Sequence, residues 1–390
     1  MAQKKTKSRV LRVAGWILGL FVLLVGGLAL TVKLRYGGGE RFPDRTTVPA
    51  LMDSVLETVA DLRTPPGNIA VSADWRVFLS LHPEGRPEMK VAELVDRSPV
   101  PWPDASWQSK RAGGPSFETV LSLRIDALGR LWTLDLANHG LGDPKLLAFD
   151  VATGRLVHEY HFSSDLAPIG SHLNDFQVDA TGEHVYIADA SIFRKTPALI
   201  VYDVATKTAR RVLEGHPAVM EENFVPYVGD DRMEVFGLFS ARTGIDSIAL
   251  DRKGEWLYFA AVTSSFVYRA RAADLADAKL SAYELAQRVE PYALKTMSDG
   301  MTTDLEGNVY WGDMEHSAIL SLGTDRKLHT LLKSPRLRWP DGFSFGPSGW
   351  LYVTCSSLDT VIMKTTATIA ANAPYQVFRF RPGPAGIPGH

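Results

Sequence analysis

The sequence predicts an all-β protein, a six-bladed β-propeller behind an N-terminal transmembrane helix. Three observations carry this. A 20-residue uncharged run, Val13 to Val32, follows a basic N-terminus. Beyond residue 50 one strand–turn–strand phrase returns six times. Gly and Pro are frequent, 32 and 23 in 390 residues, which sets many tight turns and short strands rather than long helices.

Taken in chain order, residues 1–12 form a basic tail with Lys4, Lys5, Lys7, Arg9 and Arg12. As a helix, residues 13–32 would rise about 30 Å, the thickness of a hydrocarbon core. Five basic residues precede the run, and Lys33 and Arg35 follow it. This bias places the tail in the cytoplasm and the rest of the chain in the periplasm or outside the cell. A cleaved signal is the alternative, with Gly27 and Ala29 as small residues before a cut near Leu30; the chain would then be secreted. The length of the run and the lack of an A-x-A site argue against cleavage. Residues 33–49, with Gly37, Gly38 and Gly39, read as a tether.

The propeller is expected over residues 50–381. Its phrase is an apolar strand, a polar-Gly turn and a strand rich in Trp, Tyr and Phe. The copies run 69–78, 123–132, 176–186, 248–258, 301–310 and 343–352. Measured between Asp74, Gly129, Gly182, Gly254, Gly307 and Gly349, the steps are 55, 53, 72, 53 and 42 residues, a spacing that suits propeller blades. Asp126, Asp179, Asp251 and Asp304 end the first strand of their copies and read as turn formers. A helical piece is expected at residues 272–278. An open ring would leave two bare sheet edges. Residues 54–61 and 376–380 are therefore the expected closing strands, and residues 382–390 a flexible tail.

Composition bounds function. Forty-two Lys+Arg against 44 Asp+Glu give no reason to expect nucleic acid as a partner. A single cysteine excludes an intramolecular disulfide and any cysteine-built metal cluster. That residue, Cys355, falls in a strand of the sixth copy and reads as buried and inert. Motifs of the G-x-S-x-G and HExxH types are absent.

In a propeller the first strand of each blade lines the central channel, so the residues that open these strands converge at one mouth. Here they are Asn68, Asn174, Asp175, Asp246, Asp299 and Asp341. Carboxylates gathered at one mouth repel unless a cation or bound protons neutralise them. Oxygen donors favour Ca²⁺, then Mg²⁺ or Mn²⁺, over zinc. The candidate ligands are Asp246, Asp299, Asn68 and Asn174. Asp299 and Asp341 are the candidate bases. Asn174, Asp175 and His172, with His139 from the loop 137–143, are the candidate substrate contacts. Asp and Asn also cap strand starts, which is the purely structural alternative. Loops 137–143 and 211–231 are expected to cover the mouth, with Glu221 and Glu222 as a solvated acidic pair.

Residues 129–135, 144–150, 173–179, 186–189, 198–203, 339–342 and 351–354 resemble the royal-jelly protein/yellow family. The likeness spans about residues 60–360 and implies a secreted six-bladed propeller, with some relatives binding ligands. More broadly the chain is similar to the regucalcin/gluconolactonase group, which implies a divalent metal, usually Ca²⁺, in the mouth. By that resemblance Ser298 to Thr302 matches the segment that carries the family's ligand and base, so Asp299 takes that role. Asp246 stands at the family's Asn ligand and Asn174 at a further Asn. Asn68 falls where the family has Glu, which puts lactonase activity in doubt. Two functions follow: a metal-assisted hydrolase of a small lactone or related ester, or an extracytoplasmic ligand-binding propeller without turnover. An open, metal-filled mouth would favour the first and an apolar-lined pocket the second.

Overall fold

The computed structural model describes the backbone at residues 2–110 and 114–390 and the side chains from residue 12 onward. The side chains of Lys4, Lys5, Lys7 and Arg9 lie outside the described residues. The chain forms six four-stranded antiparallel sheets arranged as blades. Their innermost strands are Pro66–Val71, Val120–Ile125, Leu173–Val178, Ile245–Leu250, Ser298–Thr303 and Pro340–Phe345, for blades one to six. Each packs against the next, and the sixth against the first, so the ring is closed. The fourth strand of blade six is Glu57–Leu62, which pairs antiparallel with Tyr375–Phe380. Residues 57 to 62 lie opposite 379 to 375, so both predicted closing strands meet in one sheet.

Apolar residues on the blade faces form six cores, one in each gap between neighbours. Phe78 and Val91 of blade one, for example, meet Leu123, Leu131 and Phe149 of blade two, with Trp102 and Trp107 filling the wedge. Hydroxyls then stitch blade to blade. Ser80 donates to the Leu121 carbonyl, Ser122 to Asn174, Ser247 to Asp299 and Thr354 to Gly67. Each bond satisfies a buried carbonyl at the channel, where water is excluded.

The turn formers behave as expected. The Asp126 carboxylate accepts from Leu128 N, Arg130 N and Trp132 Nε1, and Asp304 accepts from Glu306 N, Asn308 N and the Tyr310 hydroxyl. The expected helical piece is Ala272–Ala276, followed by a second turn, Ala282–Ala286, with a Ser281–Glu284 capping box. A further short helix, Thr366–Ala371, precedes the closing strand.

The N-terminal helix, Ala2–Tyr36, contains residues 13–32, and Arg12–Tyr36 is long and apolar enough to cross a membrane. Two expectations need correction. The segment after the helix is no loose tether. Glu40 and Arg41 pair with Phe224 and Val225, Phe42 is buried, and Ala50 N and Leu51 N bond to Thr330 O and Leu331 O. Nor is 382–390 a free tail. Leu305 N, Ile125 N and Phe345 N donate to the carbonyls of Ala385, Gly389 and His390. Those donors lie at or just past the far ends of three innermost strands, so the segment closes the channel opposite the predicted site. Apolar contact drives it: Gly386 lies flat on Phe345, where a Cβ would come within 2.1 Å of the ring.

A chain ending at Phe380 is expected to keep its cooperative melt but lower Tm by several degrees. One ending at Pro374 loses a whole strand of blade six and should aggregate. Circular-dichroism melts with sedimentation check both; equal Tm for the full chain and the Phe380 variant would mean the plug adds no stability.

Candidate functional site

Every innermost strand begins with a shift in register against its neighbour. The shifts lie between 66 and 69, 120 and 122, 173 and 176, 245 and 247, 298 and 301, and 340 and 343. A bulge frees one or two residues from the ladder and re-aims their side chains. The freed residues include Asn68, Asn174, Asp175, Asp246, Asp299 and Asp341, and all six line one cavity of ≈ 370 Å³ at the channel mouth. The two Asp-Gly pairs gain a physical reason here. A Cβ on Gly300 would stand 2.0 Å from the Asp341 carbonyl oxygen, and one on Gly342 would stand 2.7 Å from Asn68 Cα. Glycine lets neighbouring innermost strands approach while the preceding aspartate faces the mouth.

The cavity has a polar floor and apolar walls. The walls include Phe193, Val235, Phe239, Trp339, Leu358 and Ile362. The covering segment in the long insertion is 226–243, rather than 211–231 as expected. Arg211 instead ties Asp189, Leu166 O and Thr196 O together. Glu221 and Glu222 are not a solvated pair: Lys195 Nζ lies 2.9 Å from Glu221, and Glu222 accepts from Ser265 N and its hydroxyl.

Two charge patterns divide the floor. On one side Arg124 of blade two reaches across to Asp175, with Nη2 at 2.9 and 2.8 Å from its two oxygens. The same guanidinium donates from Nη1 to Asn68 Oδ1, and Asn68 Nδ2 donates to Asp175 at 3.1 Å. All three are buried. The Asn68 amide oxygen is thus held by a fixed cation, and Asp175 is paired with it, although the Asp175 charge still repels Asp246, Asp299 and Asp341. On the other side Asp246, Asp299 and Asp341 gather. Burial pushes all three carboxyls up, and Asp299 adds repulsion to both Asp246 and Asp341. Asp299 reaches about 6; burial raises it, while Trp339 Nε1, 2.6 Å from Oδ2, restrains the rise. Asp246 lies near both Asp299 and Asn174, and the Asn174 amide eases the ionisation of Asp246. Behind them Lys295 is wholly buried and donates to Val262 O, Thr296 O and Ser298 Oγ; burial pushes it down to about 7.

The histidines form a third group. His172 N is held by the Asp189 carboxylate at 2.7 Å. Ala137, Asn138 and His139 all take left-handed backbone, with φ of 48°, 50° and 58°. L-residues rarely adopt this in succession, and the Asp135 carboxylate, accepting from Ala137 N at 2.9 Å, helps fix it. The result brings His139 Nδ1 to 3.1 Å from His172 Nδ1 on the cavity wall, so one imidazole donates and the other accepts. Burial holds both below the usual imidazole range, and His172 is lowered further by His139 and His82.

All the predicted site residues therefore reach one cavity, but not in one role: Asn68 and Asp175 belong to Arg124. Sequence reasoning missed Arg124, Trp339, His82 and Lys295. Arg124 had a signal, since a charge on an innermost strand must face the channel. Trp339 stood beside the Pro-Asp-Gly segment without a role. Cys355 is fully buried with its thiol pushed up, as an inert position requires.

The sequence signature of the major royal jelly proteins matches residues 118–372, from just before the innermost strand of blade two into blade six. The chain belongs to the major royal jelly protein family. It is 24% identical over 239 residues to major royal jelly protein 9 of Apis mellifera, covering 58% of this chain and 54% of that relative, so it spans about half the relative's length. In three dimensions this royal jelly family propeller is similar to a calcium-binding protein, regucalcin, of Agrobacterium tumefaciens (TM-score 0.53, 16% identity, 85% of this chain and 95% of that one). It is also similar to a gluconolactonase of Xanthomonas campestris (TM-score 0.52, 13% identity, 88% and 97%). At these identities the likeness is one of fold.

Does the royal jelly family chain fit a divalent ion at its mouth? Among the described residues no three His, Cys, Asp or Glu side chains stand at metal-ligand spacing. Asn68 is withdrawn from the donor set by Arg124. Asp246, Asp299 and Asn174 remain, all hard oxygen donors, and the buried repulsion among the carboxylates is what a cation would relieve. The donor chemistry fits a hard cation without forming a closed cage.

Two outcomes are expected. Arg124→Met should cost about 3–5 kcal/mol by stranding Asp175, and adding Asp175→Asn should recover much of it; denaturant titration measures both. Burial disfavours the charged form of both histidines in the folded chain, so they take up protons more readily when unfolded. Their contribution is thus present above about pH 6.5 and lost as pH falls below it. His172→Gln should flatten the decline of Tm between about pH 7 and 5. An unchanged slope would assign the decline to other groups.

Proposed function

We propose that the chain is an extracytoplasmic ligand-binding propeller that holds a small molecule with an apolar body in its central cavity, fixed through a divalent cation at the floor. The observation that carries this is the pairing of apolar walls with a buried floor of Asp246, Asp299 and Asp341. Such a floor favours a positive charge and such walls favour an apolar body. Ca²⁺ suits the donors first, with Mg²⁺ or Mn²⁺ next, and Asp246, Asp299 and Asn174 would hold it. The likeness to a protein described as calcium-binding supports this choice of ion. Asp341 and the His139–His172 pair would orient the polar end of the ligand. The N-terminal helix would serve as an uncleaved anchor.

A second reading, hydrolysis of a small lactone or related ester, is favoured by Asp299. Its carboxyl sits near 6 with Asp246 nearby, a state suited to accepting a proton from water near neutral pH. A bound cation would polarise the carbonyl oxygen of such an ester. Asp299, with Asp341 as the alternative, would take the proton of the attacking water, and Trp339 would hold Asp299 in place through Oδ2.

Calorimetric titration of the full chain with Ca²⁺ tests the cation. Asp299→Asn should weaken binding about tenfold or more, about 1.4 kcal/mol. Asp304→Asn, about 17 Å along the same strand, should leave it unchanged. Equal affinities for the two variants would remove Asp299 from the site. Because the floor carboxyls are raised on folding, they favour the folded state below about pH 4 and lose that contribution as they ionise through about pH 6 and above. The rise in Tm given by Ca²⁺ should therefore grow with pH across this range. Turnover of a small lactone that disappears in Asp299→Asn would decide for the hydrolase; no turnover with Ca²⁺ bound would decide for binding alone.

A further inference from the structure

The rim of the cavity carries exposed apolar side chains. Phe193 and Met363, from opposite parts of the chain, both line the cavity yet are 46% and 66% exposed. Ile169 is 71% exposed, beside Gly170, which bonds to the His139 carbonyl. Phe236 is 88% exposed at the tip of the hairpin whose strands carry the lining residues Val235 and Phe239. It also sits in unfavourable backbone. The tight turn from Val235 to Leu238 places Phe236 at φ 53° and Gly237 at φ 67°, where Asn-Gly is the preferred pair. A phenylalanine there gives up turn preference and buries nothing within the chain.

The same rim receives the end of the N-terminal helix. Tyr36 stacks on Phe239 with ring centroids 5.1 Å apart and donates its hydroxyl to Phe193 O at 2.6 Å. Arg35 donates to Arg194 O at 2.8 Å, and Arg242 to Arg35 O at 3.4 Å. Three guanidinium-bearing residues thus gather where the helix meets the propeller. The last residue of the apolar run, Val32, is four positions before Tyr36, about 6 Å along a helix. The rim therefore lies at the depth where the span leaves the hydrocarbon, and a basic cluster there suits lipid phosphates.

We propose that the cavity mouth docks on the outer face of the bilayer, with Phe236, Met363, Ile169 and Phe193 inserted among the acyl chains and Arg35, Arg194 and Arg242 at the phosphates. The occupant of this apolar face is the lipid surface in which the chain's own helix is anchored. The inference rests on the anchor reading of residues 13–32 and stands apart from what the cavity binds. It makes the leaflet the medium that the mouth faces.

Site-directed nitroxide labelling of the full chain in phosphatidylcholine/phosphatidylglycerol vesicles tests it. The native Cys355 is fully buried, so an introduced cysteine takes the label. Labels at Phe236→Cys and Met363→Cys should be several-fold more accessible to oxygen than to a water-soluble nickel complex. A label at Leu305→Cys, exposed at the opposite end of the channel, should show the reverse. Water-like accessibility at both rim sites would overturn the proposal, as would spin–spin broadening at Phe236 with both relaxants excluded, which would assign the face to a second copy. Phe236→Asn checks that the residue is not structural: its Tm should be equal or higher. A marked fall would show that Phe236 supports the fold and overturn its assignment to lipid. Calcium titration of the same variants separates the two proposals, since docking can fail with the floor intact and the floor can fail with docking intact.

Discussion

Closure of the ring is the constraint on which everything else depends. Six sheets share one channel because residues 57–62, from the N-terminal side, complete the sheet begun by 340–345 and 375–380. Without that pairing, blades one and six would lose the core between them, where Ile69, Leu79, Tyr352 and Tyr375 meet. With it, every blade is buried on both faces, and the six innermost strands stand at fixed spacing. The channel groups are then placed by the whole ring rather than by any local motif.

Within that ring the bulges decide what the channel can do. They release side chains of five blades toward one mouth, and charge sorts them. Arg124 crosses from blade two and satisfies the side of the floor formed by Asn68 and Asp175. The opposite side keeps three carboxyls whose ionisation is opposed by burial, with Asp299 adding repulsion to Asp246 and Asp341. Such a floor is costly to maintain unless something positive binds it, which is why it reads as a site and not as a core. Lys295 backs it, but burial holds its ammonium below the usual lysine range.

The two ends of the channel are unlike. One is closed by the chain's own segment 382–390, through backbone bonds to residues 125, 305 and 345. The other keeps an open cavity under a partial vault built from the 226–243 insertion, the 358–363 loop and Phe193. The N-terminal helix joins the open end, not the closed one. Access, N-terminal helix and carboxylate floor therefore share one side of the molecule.

How much of this was legible in the sequence follows from the range of each interaction. The six strand–turn–strand copies were legible because continuous apolar runs and polar-Gly turn chemistry are local. The closing strands at 54–61 and 376–380 followed because an unpaired edge is costly wherever it lies. The mouth residues were legible as a group, since a propeller puts the starts of its first strands together. Their division into an Arg124-bound half and a free half was not, because it depends on one long side chain reaching from blade two to blades one and three. The tether and tail were misjudged for a similar reason. Gly-rich and Pro-rich segments look loose by composition, but Phe42 and Gly386 find apolar partners 180 or more residues away and, respectively, about 40 residues back along the chain. The sequence by itself determined the repeat, the turns and the apolar run at the N-terminus. Only the tertiary structure decided which carboxylates remain without a cation and which mouth of the channel meets the helix, because charge compensation and docking depend on distances that the ring alone sets.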